Sequence, residues 1–165
     1  MQLEGSCHCK AVTFQLESPH PYPYQRCYCS ICRKTAGSGG YAINLAGDAN
    51  TLKVEGRDNL SIYHDNLSIY HAVTNGVESP AERHFCKRCG SALWLYDARW
   101  PELIHPQAGA IDTPLPVPPE HVHIMLDSKA NWVEVAHEAR DAHHAEYPEE
   151  SIAAWHARVA ERDTD

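Results

Sequence analysis

Apolar and polar residues alternate along several short stretches of this chain. In KAVTFQLE at 10–17, Val12, Phe14 and Leu16 face one way and Ala11, Thr13 and Gln15 the other, the period of two expected of a half-buried strand. The same alternation recurs at 41–45, 52–54, 92–96 and 122–126. SPHPYP at 18–23 and TPLPVPP at 113–119 read as loops, because proline has no amide to give a sheet ladder. Many short strands between such breakers predict a mainly β chain. A helical turn is expected over 30–35, stopped by GSGG at 37–40, and one amphipathic helix over 149–162. Ile152, Trp155, Val159 and Ala160 line one face of that helix, which should pack on a sheet edge or on a second copy of the chain.

DNLSIYH occurs twice without change, at 58–64 and 65–71. Seven residues is far below the period of a repeat architecture, so this is a local tandem duplication. An odd repeat puts Leu60/Ile62 and Leu67/Ile69 on opposite faces of any continuous strand. Either a bulge intervenes, or Asp65-Asn66 makes a tight hairpin turn, or one copy loops out, and the expectation is a longer hairpin or loop that leaves the cysteine groups intact.

A chain of 165 residues can bury a core without disulfides, and no apolar run approaches the length of a membrane span. MQLEGSCHCK has neither a basic start nor an apolar stretch of leader type, which predicts a reducing, cytoplasmic setting and cysteines kept as thiolates. Net charge is −8 with histidine neutral, which disfavours a nucleic-acid surface and favours small-molecule partners.

The seven cysteines fall into three groups, Cys7/Cys9, Cys27/Cys29/Cys32 and Cys86/Cys89. A CxxC followed by Gly90 is a metal knuckle that supplies half a tetrahedral site, the glycine giving the turn its positive φ or close approach. Cys7 and Cys9 would complete it as a closed, structural four-thiolate site. By subtraction, Cys27, Cys29 and Cys32 remain as three ligands with an exchangeable fourth position, the arrangement of a catalytic zinc. The residues alone leave open disulfides, iron at the four-cysteine position, and a structural three-cysteine site closed by a histidine such as His8, His84 or His105.

Taken together, GSCHCKAV at 5–12, RCYCSICRKTAGSG at 26–39, HFCKRCGSALW at 84–94, AGAID at 108–112 and HVHIMLDSKANWVEV at 121–135 resemble the glutathione-dependent formaldehyde-activating enzyme family, which includes centromere protein V. The resemblance spans roughly residues 4–135. It implies a β-tent fold of antiparallel sheets built around a structural zinc over 1–140, followed by a C-terminal helical extension over 141–165. It implies two zinc ions per chain, one structural on Cys7, Cys9, Cys86 and Cys89 and one catalytic on Cys27, Cys29 and Cys32. It also implies a carbon–sulfur lyase-type activity that joins glutathione to formaldehyde or reverses that addition. The family commonly carries histidine where this chain has Tyr28.

A zinc already holding three thiolates is a weak Lewis acid, and its use is to keep a substrate thiol as a nucleophilic thiolate. The hemithioacetal alkoxide then needs one proton, for which His8, His64, His84 and Tyr28 are candidates. Glutathione is an anion, so Arg33 and Lys34, directly after Cys32, are the candidate substrate contacts, with Arg26, Lys87 and Arg88 nearby in sequence. Those cations read equally well as solvated charges or donors to sulfur. Trp94, Trp100 and Trp132 read more readily as core or interface residues than as substrate walls. His143-His144 is expected at the surface. A non-catalytic, zinc-stabilised binding module is the alternative function, and a homo-oligomer is compatible with the apolar helix face.

Overall fold

The computed structural model describes residues 1–56, 67–74 and 76–162. The chain is mainly β and divides into two compact units. The first comprises Met1–Pro21 with Asn44–Pro114, and the second Tyr22–Ile43 with Leu115–Asp165.

The first unit holds two antiparallel sheets. In one, β1 (Gln2–Ser6), β2 (Thr13–Glu17) and β6 (Lys53–Glu55) lie in the order β1-β2-β6. In the other, β5 (Gly47–Asp48), β7 (Leu67–Thr74), β8 (Val77–Cys86), β9 (Ala92–Tyr96) and β10 (Leu103–Pro106) run in the order β5-β10-β9-β8-β7. The alternation around Phe14 sends Phe14 and Leu16 into the core with Leu3, Leu93 and Trp94, and Phe14 meets Trp94 edge-on at 5.1 Å. Gly5 lets β1 come this close, since a Cβ there would lie 2.3 Å from the Phe14 ring and 2.6 Å from the Ala110 carbonyl oxygen. The second copy of DNLSIYH enters β7 from Leu67 to His71, with a bulge between His71 and Val73. The first copy, and the turn expected at Asp65-Asn66, lie outside the described residues.

The second unit holds one mixed sheet of β3 (Gln25–Cys27), β4 (Ala42–Ile43), β11 (Val122–Ile124) and β12 (Ala142–His143), ordered β12-β11-β3-β4. The expected antiparallel arrangement describes the first unit; here β11 runs parallel to both β3 and β12. The register sets Cys27 beside Ile124 and Ala42, and Arg26 beside His123 and Ile43. In-register neighbours share a face. Cys27, Val122 and Ile124 therefore lie on one side of the sheet, and Arg26 and His123 on the other.

Helix α1 (Ser30–Thr35) follows the predicted turn, and α2 (Ile152–Arg162) is the predicted helix begun three residues later. Ser151 sets that start, its hydroxyl accepting from the Ala154 amide at 3.1 Å. The Trp155 face packs on the Cys27 side of the sheet, in one cluster with Tyr24, Val122, Ile124 and Val159.

Candidate metal centres

Cys7 and Cys9 follow β1, Cys86 ends β8, and Cys89 lies in the turn toward β9. Their four sulfurs lie within 4.8 Å of one another, with 3.6 Å between Cys7 and Cys9 and 3.8 Å between Cys9 and Cys86. A tetrahedral ion about 2.3 Å from each sulfur separates the sulfurs by about 3.8 Å, whereas a disulfide needs about 2.0 Å. No cysteine forms a disulfide. The donor set therefore fits a closed site for a thiophilic divalent ion such as zinc.

The backbone builds both halves alike. Gly90, at φ +74°, donates its amide to the Cys86 carbonyl at 2.8 Å, and Lys10, at φ +58°, donates its own to Cys7 at 3.0 Å. The Val12 amide donates to the Cys7 sulfur at 3.3 Å. Ser91 joins the halves, with its hydroxyl 3.2 Å from the Cys89 sulfur and accepting from the His8 amide at 3.1 Å. The Ser91 hydroxyl draws the Cys89 thiol down to about 5, while burial pushes Cys86 up to about 12.

In the second unit Cys27 ends β3, Cys29 caps α1 by accepting from the Cys32 amide at 3.3 Å, and Cys32 lies within α1. The three sulfurs again fall within 4.8 Å of one another. Cys27 and Cys32 are buried and Cys29 is half-buried, so Cys29 stands toward solvent. Hydrogen bonds from Cys27 and Cys32 hold the Cys29 thiol far below its usual range, and the bonds that Cys27 makes with Cys29 and Cys32, with burial, push Cys27 far above it. Three converging sulfurs also fit zinc, with one tetrahedral position left for an outside ligand.

The chain matches the family model described as "Glutathione-dependent formaldehyde-activating enzyme" over residues 2–128. It belongs to that family. A Halomonas elongata protein, provisionally named a glutathione-dependent formaldehyde-activating enzyme, is 62% identical over 159 residues, covering 96% of this chain and 97% of its own. A crystal structure of a Rhodobacter sphaeroides protein is similar at 27% identity with a TM-score of 0.51, covering 70% of this chain and 92% of that one. All seven cysteines lie within the matched residues, which end before β12 and α2.

The other candidates disperse. Arg33 lies in the last turn of α1, and its buried Nε has no hydrogen-bond partner among the described residues. Lys34 is exposed, as are Lys87 and Arg88 in the knuckle of the first unit. Arg26 lies over the Tyr41 ring at 5.3 Å, on the sheet face away from Cys27. His8 and His84 sit in the first unit, His84 buried on Glu82 and stacked on Trp94, and His64 lies outside the described residues. Trp94 is core, while Trp100 and Trp132 are exposed. His143 is exposed at its edge, yet its ring stacks on His123 at 4.7 Å.

Sequence reasoning missed what Tyr28 does. It is fully buried, and its hydroxyl lies 2.8 Å from His123 Nδ1; His123 Nε2 lies 3.2 Å from Asp141, whose side chain is only 1% exposed. Asp141 accepts from Nε2–H, so Nδ1 is the free lone pair and Tyr28 is its donor. The hydroxyl is committed on the face opposite the thiols. The available signal was the alternation of His121 and His123 with Val122 and Ile124, which puts two imidazoles on the second face of a buried strand.

Proposed function

We propose that this protein is a zinc-dependent carbon–sulfur lyase-type enzyme that adds glutathione to formaldehyde, or reverses that addition, at Cys27, Cys29 and Cys32. The observation that carries this reading is the division of seven cysteines into a closed group of four and a separate group of three. The family and the name of the Halomonas elongata relative support the substrates. Cys7, Cys9, Cys86 and Cys89 would hold a structural zinc within a β-tent fold, giving two ions per chain. Zinc on three sulfurs would supply an anchor that keeps the incoming thiol deprotonated near neutral pH.

The residues do the rest. Cys27 and Cys32, buried and fixed by β3 and α1, leave the half-buried Cys29 edge as the side open to substrate. The Arg33 guanidinium is the proposed contact for a glutathione carboxylate, with Lys34 adding a screened charge that matters more to encounter than to affinity. In the addition a carbon–sulfur bond forms and the carbonyl π pair moves to oxygen. The thiol gives up one proton and the new alkoxide takes one, so the reaction balances without a net acid or base. Tyr28, hydrogen-bonded to His123, is a structural residue in this scheme and not the proton donor. A cytoplasmic setting agrees with cysteines that form no disulfide.

The test is exchange between glutathione and ¹³C-formaldehyde, followed by NMR with zinc-loaded protein. Exchange faster than in buffer, and lost in Cys29→Ser, is expected; exchange at the buffer rate overturns the glutathione reading. A non-catalytic binding module is favoured by one observation, the burial of Cys27 and Cys32 in an apolar cluster. That module would hold two ions and accelerate nothing.

A further inference from the structure

The cluster that contains Cys27 and Cys32 draws much of its apolar surface from residues beyond the family match, which ends at 128. Trp155 and Val159 of α2 are buried in it, and Ala142 and Ile152 pack against it. The Trp155 ring lies flat on Tyr24, with 3.7 Å between centroids. Its indole N–H donates to Glu120 at 3.1 Å, and that carboxylate also takes Arg158 at 2.7 Å and Arg162 at 2.8 Å. An apolar wedge and a buried charge therefore hold α2 in place together.

The opposite sheet face is braced by the same stretch of chain. Asp141 accepts from the His121 amide at 2.9 Å and from His123, which in turn accepts from Tyr28, the residue between Cys27 and Cys29. Both sides of the cysteine-bearing segment thus rest on residues beyond 128.

A closed group of four ligands from two knuckles is cross-linked by its own ion. Three sulfurs from one six-residue stretch lack that fourth tie, and the surrounding packing must hold them in ligand geometry. We propose that the segment from Asp141 to Arg162 is a positioning element of the three-thiol site, which shields Cys27 and Cys32 and sets how tightly that site holds its ion. The second half of this inference rests on the proposed metal role of the three cysteines; the first half does not.

Full-length Trp155→Ala, Val159→Ala and Trp155→Phe proteins are compared with wild type by iodoacetamide labelling resolved to single cysteines, and by zinc competition with a chromophoric chelator. Trp155→Ala is expected to speed labelling of Cys27 and Cys32 by about tenfold or more relative to Cys7 and Cys86, and to weaken one of two zinc ions by about 10–100-fold. Val159→Ala should move both readouts the same way by less, and Trp155→Phe should stay near wild type. Unchanged labelling of Cys27 and Cys32 in both alanine variants overturns the proposal. So does an equal rise at all four buried cysteines, which would make α2 a general stabiliser. If wild type binds one ion and Cys29→Ser leaves it in place, the proposed metal role and the affinity half of this inference fall together, while the labelling still decides the positioning half.

Discussion

Tyr28 donates its hydroxyl hydrogen to His123 Nδ1 across 2.8 Å, inside a sheet whose other face carries Cys27. The residue that separates the first two cysteines of the three-thiol group is thereby bound to a strand about a hundred positions away in sequence. Tyr28→Phe leaves the His123 lone pair buried without a donor and should destabilise the second unit by about 1–3 kcal/mol. His123→Leu also strips Asp141 of its hydrogen bond from the His123 imidazole and should cost more, about 3–5 kcal/mol, even with the His121 amide still in place. Urea midpoints of the two variants check the order; equal midpoints would mean that the Asp141 link contributes nothing.

Burial depresses the pKa of His20, His105, His121 and His123, and the coulombic repulsion of His143 adds to the effect at His123. A depressed histidine binds fewer protons folded than unfolded between its folded pKa and 6.5, so stability is fully present above pH 6.5 and is lost as pH falls below it. Asp141 follows at lower pH. Burial raises its carboxyl, but the His121 amide, the His123 hydrogen bond and both imidazole charges together bring it below the usual range. The imidazole C–H signals of these four histidines should titrate below 6.5 by NMR, and the thermal midpoint should drop between pH 7 and 5.5. A midpoint that rises over that interval contradicts the assignment.

Glu120 is 7% exposed and accepts from Trp155, Arg158 and Arg162. Burial raises its pKa, and the two guanidiniums more than reverse this, so it stays ionised. Glu120→Gln keeps an acceptor for the indole and loses the charge on two partly exposed arginines, which should cost about 1 kcal/mol. Glu120→Ala leaves the buried indole N–H unpaired as well and should cost about 2–3 kcal/mol. Denaturant titrations of both proteins separate the hydrogen bond from the charge.

How much of this was legible in the chain depended on how local each signal is. The cysteine groups were readable because each knuckle is built within four residues and Gly90 marks its turn, and the strands around Phe14 and Leu93 announced themselves by alternation. β8 did not, because ESPAERHF at 78–85 mixes polar and charged residues into both faces and carries little apolar contrast. β3 was hidden by its length of three residues and by Arg26 at its centre. The parallel pairing of β3 with β11 leaves no mark in periodicity. The Tyr28, His123 and Asp141 chain joins residues from three separate segments, so spacing could not reveal it.

Gly90 and Lys10 occupy the same left-handed region at matching places in the two halves of the four-thiol group. Glycine adopts that conformation freely and a side chain does not, so Gly90→Val should destabilise the first unit by about 1–2 kcal/mol. Lys10→Gly should be close to neutral, because the relief at φ +58° offsets the loss of contacts from a mostly exposed ammonium to Ser6 and Asp112. Thermal melts in the presence of zinc check both, and a stabilised Gly90→Val would refute the account of the turn.

Removing single sulfurs should separate the two cysteine groups by function. Cys86 is wholly buried and ends β8, so Cys86→Ser removes one of the four clustered sulfurs, which come from two segments of the first unit. It should lower the zinc content by one ion and the melting temperature by several degrees, since closed thiolate sites contribute folding energy directly. Cys29 is half-buried, and its unit keeps the sheet, the Tyr28 link and the α2 wedge without it. Cys29→Ser should therefore also lower the zinc content by one, abolish glutathione-dependent exchange, and leave the melting temperature within about 2 °C of wild type. Metal analysis beside calorimetry distinguishes the two outcomes. A Cys29→Ser protein that melts as early as Cys86→Ser would make the three-thiol group a second structural site and remove the basis for placing the chemistry there.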